Sequence, residues 1–395
     1  MLHEAPTFNI LRRILIFNMR SFFAAAALSS ITGLASAWTC QNITVPVSIS
    51  ARNAVFNISI PQTNIDVTNF MVDLAEQGVN YTQEVLAGYT TVSGNYDLAA
   101  TYCAPASGAG KTLQILTHGI GFDRSYWDLS FNNYNYSYVE TAVDQYGYST
   151  LSWDRLGIGM SSHSNPLSEI QVALEHAALT ALTELAWNGS VPGVSAKFEK
   201  IVHVGHSFGS ALSYALGRDT PSLTDGLVLT GFSQNGTFLP YFELGGNWVS
   251  VTTVPALSSY VAGYFGAGTP SGVQTNFFSP GEFDPAILAL AYATGQPVSA
   301  GELLTIAGST GGVSPFTGPV FVITGARDLP YCGGNCLATG NPALASIPAA
   351  VKQYFPDSSN FQSFIVPDSG HGLNLEYTHE ITYQQISQFL VGNGF

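Results

Sequence analysis

The sequence predicts an α/β fold with a mainly parallel central sheet, helices on both faces, an inserted helical cap and an N-terminal extension that contains strands. Two observations lead to this prediction. From about residue 111 onward, short apolar runs alternate with helical patterns, as expected for a parallel sheet covered on both faces. Between Gly231 and Pro319 this alternation stops, and the segment is too long for a loop in a compact domain.

The expected elements follow one another as βαβ units. Strands are predicted at Val45–Ile49, Tyr96–Tyr102, Leu113–Leu116, Ser149–Trp153, Ile201–Val204, Leu227–Thr230, Val320–Thr324 and Phe361–Val366. Helices are predicted at Asp66–Glu76, Tyr138–Gln145, Glu169–Trp187, Ser207–Leu216 and Ile381–Val391. Residues 38–110 form the extension and first strands, 111–232 and 318–395 the two parts of the core, and 233–317 the aromatic, glycine-rich cap.

Residues 1–37 have the pattern of a removable secretory signal. Met19-Arg20 gives a positive start, residues 21–34 are small and apolar, and Ala35-Ser36-Ala37 is a cleavage pattern. The signal is expected to start at Met19 and to be cleaved after Ala37, with residues 1–18 as an upstream extension of the gene model. The apolar run is shorter than the roughly 20 residues of a spanning helix, so no stable membrane insertion is expected.

Two further features favour a secreted, extracellular protein. After the cleavage site come six N-x-S/T glycosylation sequons, at Asn42, Asn57, Asn80, Asn135, Asn188 and Asn235. All four cysteines lie in the mature part, and we expect Cys332 to pair with Cys336 and, by elimination, Cys40 with Cys103. No second cysteine pair or nearby histidine completes a metal site around Cys332-Gly-Gly-Asn-Cys336, so no metal is expected.

The chain is strongly acidic. Removal of residues 1–37 takes away three arginines and one glutamate, which lowers the net charge from −14 to −16. A surface of this sign disfavours binding to nucleic acid and to anionic membranes.

The pentapeptide Gly205-His206-Ser207-Phe208-Gly209 is the most informative motif. The β-branched run Ile201–Val204 precedes it and a helical pattern follows, and strand, sharp turn and helix are the setting of a nucleophile elbow. Such a turn strains the backbone, and side chains at Gly205 and Gly209 would collide with neighbouring backbone. We therefore expect Ser207 to be a nucleophile; the alternative is a glycine-rich turn without chemistry.

A serine nucleophile needs a base and an orienting acid. The base is predicted to be His371, in a glycine-flanked loop after the strand Phe361–Val366, whereas His206 is expected to point away from the serine. Asp328 is the predicted acid, because it follows a strand that ends at the same sheet edge as the elbow. Asp368 is its rival, but it lies only three residues from His371.

The strand ending at Thr117-His118-Gly119-Ile120 supplies a turn that can present a backbone N–H group. We assign the oxyanion donors to the N–H groups of Ile120 and Phe208. His118 and Gly119 are expected to support this loop. Asp154 and Arg155, after the strand Ser149–Trp153, are expected to brace the loop through charged hydrogen bonds; the alternative is contact with a substrate.

Together these motifs resemble the α/β-hydrolase fold superfamily over roughly residues 110–392. The resemblance rests on His118-Gly119, Asp154–Gly159, the Gly205–Gly209 elbow, Asp328 and His371, in the family's order of serine, acid and histidine. It implies a serine hydrolase that acts on carboxylic esters through an acyl-enzyme, without a cofactor. Epoxide hydrolases and haloalkane dehalogenases of this superfamily use an aspartate where this chain has Ser207.

The substrate is expected to be a small ester, apolar or aromatic in view of the cap composition. A lactonase, a lipase or a C–C bond hydrolase is the alternative within the fold, because fold does not select chemistry. A non-catalytic secreted binding protein is the alternative of another class, but a retired site would not need all three groups.

Overall fold

The computed structural model describes residues 38–395, so the predicted signal region 1–37 lies outside the described residues. The strands in chain order are β1 Trp38–Phe56, β2 Leu86–Pro105, β3 Thr112–Thr117, β4 Asp128–Leu129, β5 Tyr136–Ser137, β6 Ser149–Trp153, β7 Lys200–His206, β8 Gly226–Thr230, β9 Trp248–Ser250, β10 Tyr264–Ala267, β11 Val298–Ser299, β12 Val320–Gly325 and β13 Phe361–Val366.

The helices in chain order are α1 Asn64–Leu74, α2 Tyr81–Val85, α3 Tyr138–Glu140, α4 Val172–Trp187, α5 Phe208–Asp219, α6 Leu239–Gly245, α7 Pro270–Phe277, α8 Pro285–Ala293, α9 Ala300–Thr305, α10 Leu329–Cys332 and α11 His379–Gly392. Helix α3 continues as a π-helical turn over Thr141–Gln145. Short 3₁₀ turns join several elements, among them Arg124–Trp127 and Leu373–Leu375.

An eight-stranded sheet forms the centre, in the order β1-β2-β6-β3-β7-β8-β12-β13. The six strands from β6 to β13 run parallel, and β1 and β2 add an antiparallel edge. Every residue of β3, β6, β8 and β12 is buried, because helices such as α5 and α11 pack against the sheet. The predicted mainly parallel α/β fold is confirmed.

The N-terminal strands are much longer than the sequence analysis predicted. Strands β1 and β2 pair continuously from Trp38 opposite Pro105 to Phe56 opposite Leu86. Cys40 lies directly opposite Cys103, and these two residues form a disulfide, as Cys332 and Cys336 do. Both pairings are the ones expected from the sequence. In the chain-entropy model the long loop between Cys40 and Cys103 makes that bond worth roughly 4 kcal/mol.

The segment between β8 and β12 contains the helices α6 to α9 of the expected cap. It also contains a three-stranded antiparallel sheet in the order β11-β10-β9, which the sequence analysis did not predict. Its aromatic residues are largely internal: Trp248, Tyr264, Phe265 and Phe277 are all buried. Within residues 38–395, no helix combines the length and the apolar composition needed to cross a bilayer.

We predict that Gly325→Ala destabilises the fold by about 1–3 kcal/mol or more, because the added methyl group overpacks a backbone contact. A Cβ atom at Gly325 would lie 2.0 Å from the carbonyl oxygen of Gly370 and 2.3 Å from that of Ser369. Gly392→Ala is the control, since nothing lies within 4 Å of its Cβ position. Urea unfolding measures both; equal stability of the two variants would contradict the prediction.

Candidate active site

Ser207 occupies a strained turn between β7 and α5. Its backbone has φ 55° and ψ −118°, a conformation that is costly for a residue with a side chain. Its N–H group donates to the carbonyl oxygen of Thr230 at 2.9 Å, which fixes the turn to β8. A Cβ atom at Gly205 would lie 2.4 Å from the Gly209 oxygen, and one at Gly209 would lie 2.1 Å from the Thr117 oxygen. Both positions therefore require glycine, as expected for an elbow.

A continuous chain of hydrogen bonds joins Ser207, His371 and Asp328. Nε2 of His371 lies 2.8 Å from Oγ of Ser207, and Nδ1 lies 2.7 Å from Oδ2 of Asp328. All three residues are buried, with Ser207 the most accessible at 8% exposure. Because a carboxylate only accepts hydrogen bonds, Nδ1 carries the proton and the Nε2 lone pair faces the serine hydroxyl.

Asp328 accepts two further hydrogen bonds. Its Oδ2 accepts from the hydroxyl of Thr324 at 2.7 Å, and its Oδ1 accepts from the N–H group of Tyr331 at 2.9 Å. Asp328 is thus the N-cap of the short helix α10. These contacts hold the carboxylate in one orientation, with Oδ2 toward the imidazole.

The predicted oxyanion donors, the N–H groups of Ile120 and Phe208, are unused. Within the described part of the chain neither group has a protein acceptor. Phe208 is the first residue of α5, where the backbone N–H has no partner inside the helix. The loop of Ile120 lies against the serine, because a Cβ atom at Gly119 would be 2.8 Å from Cβ of Ser207. Two backbone N–H groups without a protein acceptor therefore belong to segments that adjoin Ser207.

His118 links this loop to the end of β6. Its Nε2 accepts from the backbone N–H of Arg155 at 3.0 Å, so its Nδ1 donates to the carbonyl oxygen of Gly119 at 2.8 Å. Burial, together with the nearby Arg155 charge, lowers the pKa of His118 well below its usual value. A neutral imidazole with both nitrogens engaged supports the loop and has no free site for proton transfer.

Aromatic rings surround the imidazole of His371. The rings of Phe277 and Tyr331 lie 5.9 Å and 5.7 Å from it, and Phe277 also packs on Phe122 at 4.8 Å. The ring of His206, expected to point away, lies 4.9 Å from that of His371 and stacks on Tyr126 at 4.4 Å. No local pattern in the sequence predicts that these rings lie at the site, because their positions depend on contacts between distant segments.

A profile described as the alpha/beta hydrolase family matches residues 114–382, which is more than half of the sequence. The chain belongs to the alpha/beta hydrolase family. Among curated proteins, none matches the sequence significantly.

Solved structures similar to this hydrolase include a bromoperoxidase from Bacillus anthracis, with 15% identity, a TM-score of 0.50 and coverage of 75% of this chain and 96% of the other. A thermophilic esterase from Thermogutta terrifontis has 17% identity, a TM-score of 0.49 and coverage of 76% and 96%. Epoxide hydrolase A from Mycobacterium thermoresistibile has 16% identity, a TM-score of 0.49 and coverage of 75% and 95%. At such identities the likeness is one of fold.

Asp154 ties the segment after the Ile120 loop to the end of β6. Its Oδ1 accepts from the N–H group of Arg124 at 2.9 Å, and its Oδ2 accepts from the Arg124 guanidinium and from the N–H group of Met160 at 2.8 Å. Burial raises the pKa of Asp154 to about 6, although the Arg124 charge opposes this rise. The hydrolase thus anchors this segment through a charged contact, whereas Asp154 itself makes no hydrogen bond to residues 118–121 of the Ile120 loop.

The side chain of Arg155 does not reach the Ile120 loop, contrary to the expectation that its charge braces it. Its guanidinium bonds to Glu175 on α4 and, at 2.5 Å, to Glu302 on α9, and all three side chains are fully buried. It also lies over the ring of Phe208, 4.5 Å from the ring centre. The reason is electrostatic: two buried carboxylates are a stronger partner than the neutral loop. Only the backbone N–H of Arg155 contributes to the loop, through His118.

We predict that Arg155→Met destabilises the protein by about 3–5 kcal/mol at pH 8, because it leaves two carboxylates buried without a counter-charge. Burial and the neighbouring Glu302 already raise the pKa of Glu175 well above its usual value, against the effect of Arg155. When the pKa of a carboxyl group is higher in the folded than in the unfolded state, the folded protein becomes less stable as the pH rises toward the folded-state pKa. The destabilisation should therefore be smaller at pH 5 than at pH 8.

Urea unfolding at the two pH values measures this difference. The matched control is Arg218→Met, which breaks a partly exposed pair with Asp219 and should cost about 0–1 kcal/mol. Equal, pH-independent losses in both variants would contradict the prediction.

Proposed function

We propose that this chain is a secreted serine hydrolase that cleaves carboxylic esters. The observation that carries the proposal is the hydrogen-bond chain from Asp328 through His371 to Ser207, with the serine in a strained elbow. A buried base in the correct tautomer, within hydrogen-bond reach of a hydroxyl, is the arrangement that activates a serine. The two unused N–H groups beside it complete the requirements of acyl transfer.

The proposed reaction has two halves. His371 takes the proton of Ser207 at Nε2 while Oγ bonds to the ester carbonyl carbon, and the N–H groups of Ile120 and Phe208 hold the oxyanion. The imidazolium, stabilised by Asp328, gives its proton to the leaving alcohol as the C–O bond breaks. Water then gives a proton to His371 as it attacks the carbonyl carbon of the acyl-enzyme. The imidazolium returns this proton to Oγ of Ser207 as the C–Oγ bond breaks and the carboxylic acid leaves. These steps need no metal and no organic cofactor.

The surroundings favour a small, apolar or aromatic ester. Phe277 and Tyr331 present ring surfaces near His371, Phe122 packs on Phe277, and the serine itself is largely covered. Burial of apolar groups against such rings is favourable in proportion to the area removed from water. The net charge of −14 over the full sequence gives no support to a polyanionic substrate such as nucleic acid.

Secretion and glycosylation belong to the same proposal. Two disulfides fit an oxidising compartment, and the region 1–37 has the pattern of a cleavable signal. Of the sequon asparagines, Asn42, Asn57, Asn80, Asn135 and Asn188 are exposed, whereas Asn235 is half-buried and accepts a hydrogen bond from the N–H group of Thr237. The exposed sites are the ones on which we expect sugar.

We predict that Ser207→Ala lowers the kcat for a soluble, activated short-chain ester by about 10⁴-fold or more, because the nucleophile is lost. A serine-directed phosphonate should add its mass to the wild-type peptide that carries Ser207 and should not label the variant. Ser213→Ala is the matched control: it removes another buried serine of α5, whose hydroxyl donates only to the Gly209 oxygen at 2.8 Å. Hydrolysis by Ser207→Ala at the wild-type rate would exclude Ser207 as the nucleophile.

We predict that Asp328→Asn lowers kcat by about 10³–10⁴-fold while the fold is retained. Because Oδ1 accepts from Tyr331, the new amide NH₂ must take the position of Oδ2 and face Nδ1 of His371. The imidazole then protonates at Nε2 and can no longer accept the serine proton.

Asp368→Asn is the control for this measurement, since Asp368 is exposed and was the rival acid in the sequence. Steady-state kinetics on the same ester should give wild-type kcat for Asp368→Asn. The opposite pattern, with loss of activity only in Asp368→Asn, would transfer the orienting role to that residue.

Activity on a panel of esters, lactones and thioesters separates the ester hydrolase from a lactonase or a C–C bond hydrolase on the same fold. A rate increase above the solubility limit of a long-chain ester would instead indicate a lipase.

A further inference from the structure

Glu376 is a fully buried carboxylate that the reaction above does not use. It lies five residues after His371, at the end of the turn Leu373–Leu375. Its Oε1 accepts from the N–H group of Ser279 at 2.5 Å, and its Oε2 accepts from the N–H group of Gly370 at 2.6 Å and from the hydroxyl of Ser369. The carboxylate therefore holds three donors at once.

These donors belong to two separate parts of the chain. Ser369 and Gly370 immediately precede His371, in the loop that carries the imidazole. Ser279 follows α7, in the segment inserted between β8 and β12. Glu376 thus connects the loop that carries His371 to the inserted segment through one buried carboxylate. Unlike Asp328, which precedes His371 in the sequence, Glu376 follows it.

Two backbone hydrogen bonds run alongside this connection. The N–H group of Gly372 donates to the Phe277 oxygen at 2.7 Å, and that of Tyr377 donates to the Glu282 oxygen at 2.9 Å. A Cβ atom at Gly370 would lie 2.7 Å from the backbone nitrogen of Ser279, so the two segments are in direct contact. The ring of Phe277 also stacks against His371 at an interplanar angle of 23°. The inserted segment therefore reaches the imidazole itself.

Electrostatics make Glu376 an expensive group to bury. Burial raises its pKa to about 7, and the three hydrogen bonds named above oppose this rise. Glu282 adds a small repulsion from the inserted segment. A buried carboxylate is tolerated when its lone pairs are satisfied. Removing it would leave the N–H groups of Gly370 and Ser279 buried without acceptors, beside the base.

We propose that Glu376 is a positioning residue for the hydrolysis: its carboxylate fixes the His371 loop against the inserted segment and thereby holds the imidazole in line with Ser207. This inference rests on the proposed function. It assigns no contact between Glu376 and the substrate, so its effect should fall on kcat and leave KM nearly unchanged.

Glu376→Gln tests the proposal with a nearly isosteric change. One end of the amide is NH₂, which must face the N–H group of either Ser279 or Gly370, so one acceptor is lost and two donors oppose each other. We expect kcat for a soluble nitrophenyl ester at pH 8 to fall about 10- to 100-fold, since a small misplacement of a catalytic group has an effect of this size. KM should change by less than about threefold. Glu376→Asp, which keeps a carboxylate, should recover part of kcat.

Two further variants complete the test. Glu282→Gln removes a neighbouring charge but no hydrogen bond to the loop, and should keep kcat within about twofold. Ser369→Ala removes one donor to Glu376 with little change in volume; it should lower kcat by about three- to tenfold, and it keeps the test decisive if Glu376→Gln does not fold. Circular dichroism and a cooperative unfolding transition establish that each variant is folded.

A folded Glu376→Gln with wild-type kcat overturns the proposal, as does an unchanged kcat in Ser369→Ala when Glu376→Gln does not fold. A loss confined to KM also overturns it. Ser207→Ala in the same assay separates a failure of the proposed function from a failure of the positioning role. If it keeps the wild-type rate, the proposed function fails; if it abolishes hydrolysis while the Glu376 and Ser369 variants are unaffected, only the positioning role fails.

Discussion

Close backbone contact at the carboxyl edge of the central sheet is the constraint on which the site depends. At two points the chain packs on itself with no side chain between: Gly209 meets the end of β3 at Thr117, and Gly325 meets the loop before His371 at Gly370. The first contact places the N-terminus of α5 beside the Ile120 loop. The second brings the end of β12 to within hydrogen-bond reach of the histidine loop. Parallel strands supply the common edge, and glycine at these points allows the distances of 2.7 and 2.8 Å that link the three polar groups.

The core strands could be predicted from the sequence because they are buried on both faces. Such strands are continuous apolar runs between turn residues, and the predicted runs Leu227–Thr230 and Val320–Thr324 each differ from the observed β8 and β12 by one residue. Only the most apolar parts of the antiparallel pair β1 and β2 were predicted as strands. Its outer face is exposed and polar, so alternation is clear at Val45–Ile49 but is lost elsewhere. The strands β9 to β11 have two to four residues each, too few to show a period.

The polar residues at and around the site also divide into those that local motifs predict and those that they do not. Ser207, Asp328 and His371 each follow an apolar strand, so the topology brings them to one edge and local motifs are enough to single them out. Glu302 and Ser279 have no such signal. Glu302 meets Arg155 across 147 residues of chain, and Ser279 meets Glu376 across 97. Which carboxylate receives which donor is decided by the packing of the inserted segment, and that packing has no local signature in the sequence.

The two buried acidic clusters share one feature that bears on how the inserted segment is held. Arg155 joins α4 to α9, and Glu376 joins the histidine loop to Ser279, so each cluster has one partner in the core and one in the inserted segment. Apolar packing alone would be compatible with several small shifts of one layer on the other, since it is non-directional. Buried charges and their hydrogen bonds are directional, and a shift that breaks one leaves an unpaired group at a cost of several kcal/mol. Their net contribution to stability is modest, but both clusters contact residues next to the site. Arg155 lies over the ring of Phe208, which follows Ser207, and Glu376 accepts a hydrogen bond from Gly370, which precedes His371.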